Sequence, residues 1–200
     1  MKKVLVGTLC TVFVLAVQTA GVAADKPVDK LTVGDFEEPQ LTWNIPDWAL
    51  EKADHVAKDI KLSTDVASSG KQSLKIDANF PGVNWTAAVV ELEDYLNFTP
   101  YQKIAVDVYL PKEAPPGLKG NIVLTVGEGW TWTEQLRPVM LEPGKWTTVE
   151  ANIADESKDW KKAKVDAAWR ADIRKIDVRV ISDKKPAYTG PVYVDNVRAY

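Results

Sequence analysis

The chain has 200 residues and a net charge of −3, which falls to about −5 once the expected leader takes Lys2 and Lys3 with it. That balance excludes nucleic acid and anionic membrane surfaces as partners, because both need concentrated positive charge. One cysteine and one histidine exclude a disulfide framework, a Cys-His or Ser-His-Asp arrangement and zinc-type spacing, whereas eight tryptophans are a heavy load for this length.

Residues 1–24 read as a signal peptide. Lys2 and Lys3 precede an apolar run over residues 4–17, and Val22, Ala23 and Ala24 supply the small-residue cleavage pattern. The run is too short for a spanning helix and no second long run follows. Cys10 is lost with the leader, so the protein is expected to be secreted and to hold together by its core alone. Residues 25–200 suffice for one domain of ordinary size.

The mature chain reads as short strands between turns. Residues 31–36 alternate, and a loop with Pro39, Trp43, Pro46 and Trp48 follows. His55 falls in a charged run, K-A-D-H-V-A-K, where a solvated loop or strand-edge position is expected. Residues 59–63 alternate again. Over residues 72–80, Leu74, Ile76, Ala78 and Phe80 share one face and Ser73, Lys75 and Asp77 the other, the pattern of a half-buried strand. Further strands are expected at 85–92, 103–110 and 122–126. The run E-P-G-K at 142–145 turns the chain into a strand at 146–153. Residues 155–170 lack turn signals and are assigned one short helix. Strands at 173–181 and 191–199 close the chain. Nine or ten strands spaced by turns predict a single antiparallel β-sandwich of jelly-roll type.

The stretch G-E-G-W-T-W-T-E-Q-L-R at 127–137 concentrates the candidate chemistry. As a strand it places Glu128, Trp130, Trp132 and Glu134 on one face, and Thr131, Thr133, Gln135 and Arg137 on the other. Alternate side chains lie roughly 6.5 Å apart, which suits two indoles lining a groove for a ligand with apolar faces and hydroxyl edges, such as a sugar chain. Ile122, Leu124 and Val126 are apolar at the same even parity, so an unbroken strand would bury the tryptophans with them. Gly127 and Gly129 can turn the chain and reset that parity. Paired carboxylates are the remaining catalytic option. Glycoside hydrolysis needs them facing one another at about 5 Å or about 6.5–9.5 Å. Glu128 with Glu134, or either with Glu91 or Glu93, are the pairs available, and a solvated acidic face is the simpler reading.

Several segments, in order, resemble the non-catalytic carbohydrate-binding modules of galactose-binding-domain-like, jelly-roll type that accompany plant-cell-wall glycanases. They are D-F-E at 35–37, S-G-K-Q-S-L-K-I at 69–76, Y-Q-K-I-A-V-D-V-Y-L-P at 101–111, P-G-K-W-T-T-V at 143–149 and T-G-P-V-Y-V-D-N-V-R at 189–198. The tryptophan stretch is most similar to the mannanase-associated members. The resemblance implies a ligand of β-mannan or related glucan, stacked on Trp43 or Trp48, Trp85, and Trp130 or Trp132. Glu128, Glu134, Gln135 and Arg137 are the implied polar contacts, of which one parity serves. Trp146 is assigned to the core, and Trp160 and Trp169 to packing. The resemblance also implies a structural calcium on Asp35, Glu37 and Asp195, completed by carbonyls near Gly70. A glycanase acting in trans is the implied partner. A jelly-roll hydrolase or lyase, and a structural envelope domain without a sugar ligand, are the alternatives.

Overall fold

The computed structural model describes residues 29–200; the leader expected at 1–24 lies outside them. The strands are β1 Leu31–Gly34, β2 Ala57–Ser63, β3 Ser73–Phe80, β4 Thr86–Leu96, β5 Lys103–Tyr109, β6 Lys119–Val126, β7 Thr131–Glu134, β8 Val139–Met140, β9 Trp146–Asn152, β10 Ile173–Ser182 and β11 Tyr188–Ala199. A six-stranded sheet runs β2-β3-β11-β5-β9, with β1 also on β11, and a five-stranded sheet runs β4-β10-β6-β7, with β8 also on β6. Every pairing is antiparallel.

The period-2 alternation read from the sequence drives this arrangement. Leu74, Ile76 and Phe80 on β3 and Ile104, Val106 and Val108 on β5 point into the sandwich, meeting Val90 and Leu92 on β4 and Ile176, Val178 and Val180 on β10. A strand whose even positions are fully apolar and whose odd positions are charged has only one way to face. Trp43 joins this core, 3% exposed and 5.9 Å from Phe36. Trp160 and Trp169 pack against each other at its rim, with centroids 5.4 Å apart.

Two local features differ from the sequence reading. The segment at 155–170 is irregular until its end, where α2 Ala167–Ala171 begins at Asp166, whose carboxylate accepts the Trp169 N–H at 2.9 Å. A further single turn, α1 Asp47–Leu50, forms in the tryptophan loop after Pro46. It lifts Trp48 away from the core that holds Trp43.

The stretch 127–137 is a hairpin and not one strand. Gly127 takes φ +71° and Trp130 φ +48°, and the Trp130 N–H closes the turn on the Gly127 carbonyl at 2.9 Å. The returning strand pairs Val126 with Thr131, Thr125 with Trp132 and Leu124 with Thr133. Even positions before the turn therefore share a face with odd positions after it. Leu124 goes inward with Thr133, and Trp132 goes outward with Thr125.

Candidate functional site

The outer face of the five-stranded sheet carries an open groove of about 560 Å³. Its floor is made by the odd positions of β4, β10 and β6, whose even positions fill the core: Glu91, Lys175, Asp177, Arg179 and Thr125. Trp48, His55 and Trp85 form one wall, and Trp130 and Trp132 from the hairpin form the other. Trp85, Trp130 and Trp132 are 38%, 42% and 49% exposed. Beneath the Trp48 end, Ala87, Val89 and Ile181 make a small apolar cluster on this same outer face.

The floor is an ionic lattice. The Lys175 ammonium lies 2.9 Å from Glu91 and 2.9 Å from Glu93. Arg179 lies 3.3 Å from Asp177. Glu91 and Asp177 sit directly opposite each other on β4 and β10. Burial pushes the Asp177 carboxyl up to about 7, and the charge and hydrogen bonding of Glu91 add to this, against the pull of Arg179. The cations also back the rings. Arg179 lies 4.9 Å from the Trp132 centroid and 5.7 Å from that of Trp48, and Lys175 lies 5.8 Å from Trp130.

Two buried polar atoms have no protein partner, His55 Nε2 in a wall and Arg179 Nε in the floor. His55 is wedged edge-on between Trp48 and Trp85, with centroids at 4.9 and 6.2 Å. Its Nδ1 meets Asp54 at 2.9 Å, and burial lowers its pKa, which keeps the ring neutral. The solvated position expected for His55 is therefore corrected: packing between two indoles covers it. A groove lined by exposed indole faces and polar side chains can take a ligand with flat apolar faces and hydroxyls along its edges.

Of the residues singled out from the sequence, Trp48, Trp85, Trp130 and Trp132 come together here. Trp43 does not, because its indole is enclosed by the core. Gln135 is buried and spans the two sheets: its amide donates to the Glu150 carbonyl at 2.8 Å and accepts the Ile122 N–H at 3.2 Å. That leaves nothing for a ligand. Glu134 faces outward but is paired with Lys161 at 3.0 Å, outside the groove. Glu128 and Arg137 are exposed on the hairpin turn and the loop after β7, also outside it. Trp146 is corrected too; it lies half-buried against Tyr109 on the outer face of the other sheet, 5.4 Å between centroids. The floor residues of β10 went unread as a site. Their signal was the alternation K-I-D-V-R at 175–179, three charges on one face of a strand sandwiched between two others.

The three residues implied for calcium accept hydrogen bonds from backbone amides. Glu37 Oε1 accepts the amides of Lys71 and Gln72 at 2.7 and 2.8 Å, and Asp195 Oδ2 accepts those of Ser68 and Ser69 at 2.7 and 2.9 Å. Asp35 Oδ1 accepts the Glu37 N–H at 3.3 Å. Among the described residues no three carboxylate, histidine or cysteine side chains gather as a ligand set. Amide protons aimed at these oxygens fill the role a cation would have, so the three carboxylates do not fit a shared calcium site.

A twisted antiparallel sandwich with an aromatic groove across one sheet has the fold of a carbohydrate-binding module. The CBM27-1 module of Caldicellulosiruptor saccharolyticus, solved with mannohexaose, superposes with a TM-score of 0.58 at 19% identity, covering 86% of this chain and 96% of that one. A non-crystalline-cellulose-specific module, CBM28, gives 0.60 at 17% identity, covering 83% and 92%. The family 11 module of a Clostridium thermocellum cellulosomal cellulase gives 0.51 at 13% identity, covering 87% and 95%. No curated protein sequence matches the chain. The family is shown by sequence: residues 34–196 match the mannanase, galactose-binding domain-like family, and the chain belongs to it.

Proposed function

We propose that the mature chain is a secreted, non-catalytic binder of neutral β-linked polysaccharide, of mannan or glucan type, that serves a glycanase in trans. The groove carries this reading: three indoles expose more than a third of their surface around a floor of polar and charged side chains. Indole faces take the apolar faces of sugar rings, while polar side chains that line the groove, Lys52, Asp54 and Lys175 among them, take hydroxyls. Neutrality follows from the charges. Lys175 and Arg179 are committed to carboxylates within the floor, and Lys52 at the wall is matched by Asp54, so the lining carries no excess of positive charge for a uronate. The mannohexaose complex of the Caldicellulosiruptor module supports a mannan as the first ligand to try. Among the described residues no helix is long and apolar enough to cross a membrane.

Calorimetry against manno-, cello- and xylo-oligosaccharides tests the proposal. Heat of binding with one of the first two, without product formation, is the expected result; flat titrations throughout, or turnover of the ligand, overturn it. The Glu91–Asp177 pair favours a hydrolase only superficially. Both carboxylates are buried and already committed to the floor's cations, Glu91 to Lys175 at 2.9 Å and Asp177 to Arg179 at 3.3 Å.

A further inference from the structure

Beyond Trp130, outside the groove, stands another exposed ring. Tyr95 lies on β4 four residues beyond Glu91, hence on the same outer face and about 13 Å further along the strand. It is 66% exposed, among the most exposed large side chains described, although it lies within β4, at the step where the register to β10 shifts. Arg174, at the bulge where the β10–β4 register shifts, lies between the two rings, 5.1 Å from the Trp130 centroid and 5.4 Å from that of Tyr95. Its guanidinium is fixed from behind by Asp172 through contacts of 3.1 and 3.0 Å.

We infer that Tyr95, spaced from Trp130 by Arg174, forms an additional subsite that receives the continuing chain of the same neutral polysaccharide. This rests on the binding function proposed above. A solvent-facing ring held at a set distance from a groove aromatic, with no apolar neighbour of its own to cover it, is arranged for a partner that reaches both. A polymer lying along the groove does so; a single sugar does not. Because Arg174 is already neutralised by Asp172, and lies near Glu128, the subsite selects for chain length and not for negative charge.

The test compares mannotriose with mannohexaose on wild type, Tyr95→Ala and Tyr95→Phe, with cellotriose and cellohexaose run in parallel. Tyr95→Ala is expected to weaken hexasaccharide binding roughly tenfold, about 1.4 kcal/mol, and to leave trisaccharide binding and the melting temperature unchanged. Tyr95→Phe keeps both affinities, since the ring face makes the contact. Hexasaccharide binding by Tyr95→Ala at wild-type strength overturns the subsite while leaving the binding function standing. So does an equal loss for both ligands, or a loss in Tyr95→Phe. If wild type binds no oligosaccharide at all, the function and the subsite fall together.

Discussion

The two sheets each present an aromatic outer face, and they use their rings in opposite ways. On the six-stranded sheet, Tyr193, Tyr109 and Trp146 stand opposite one another on β11, β5 and β9. Their centroids are 6.0 and 5.4 Å apart, and Tyr193 is only 5% exposed. Its hydroxyl donates to Asp65 at 2.9 Å, and Lys75, itself 2.8 Å from Asp65, reaches over its ring. The rings there consume one another. In the groove the rings sit over cations and keep a face for solvent. Two of the buried acids, Asp107 and Asp177, show the same contrast. Burial raises Asp107, yet Thr148, Asn196 and Arg198 bring enough hydrogen bonds and charge to hold it below the usual carboxylate range. Asp177 has one arginine and an acidic neighbour, and it rises. A face built for stability satisfies its groups internally; a face built for a ligand leaves them short.

Substitutions sharpen this contrast. Trp43→Ala, in the core, is expected to cost about 3–5 kcal/mol of stability, read by chemical denaturation, with any remaining folded protein binding as wild type. Trp132→Ala, in the groove, should instead weaken oligosaccharide binding roughly tenfold to a hundredfold while keeping its melting temperature. Trp146→Ala should leave binding intact. If Trp146→Ala abolishes binding and Trp132→Ala does not, the ligand face has been assigned to the wrong sheet.

The acid pair gives a pH signature. Folding raises Asp177 to about 7, so its favourable contribution is complete below the ordinary carboxylate value and is lost as pH climbs through about 7. Wild-type melting temperature should therefore fall relative to that of Asp177→Asn between about pH 5 and pH 8, because asparagine mimics the protonated form at every pH. Glu91, Lys175 and Arg179 are the ionisable groups that face the carboxyl. Parallel melting curves for the two proteins would show that Asp177 is ionised in the fold.

A smaller effect is expected at the turn. Trp130 holds a left-handed φ of +48°, uncommon for a bulky residue. Trp130→Gly should relieve about 1 kcal/mol of strain and weaken binding, stability and affinity moving in opposite directions. The smallest effect is that of chelator, expected to leave the melting temperature unchanged. Asp195→Asn should destabilise by about 1–3 kcal/mol with or without chelator, through the loop amides it accepts. A chelator response that Asp195→Asn removes would restore calcium to the site.

The fold was legible in the sequence because burial of one strand face writes itself as alternation. Leu74, Ile76, Ala78 and Phe80, or Ile104, Val106 and Val108, need no tertiary knowledge to be placed. The site was legible only in part. Excess tryptophan is visible in composition, but which indole is covered depends on turns of a few residues: α1 separates Trp48 from Trp43, and the Gly127 turn decides the side of Trp132. The floor was harder to read, because Glu91 and Asp177 are 86 positions apart and meet only through strand pairing. Gln135 misled because a buried amide bridging two sheets has the same composition as one that grips a sugar.

The four-residue loop between Val126 and Thr131 has a consequence for how this surface can change over generations. Inserting or deleting a single residue there would exchange the two sides of β7, driving an indole into the interior and offering a threonine to the ligand. Changes in steps of two would preserve the sides and slide the indole along the groove by about 6.5 Å. Lineages that alter this loop while keeping the protein soluble should therefore differ in its length by even numbers, a pattern that sequence comparison across relatives can read without any structure.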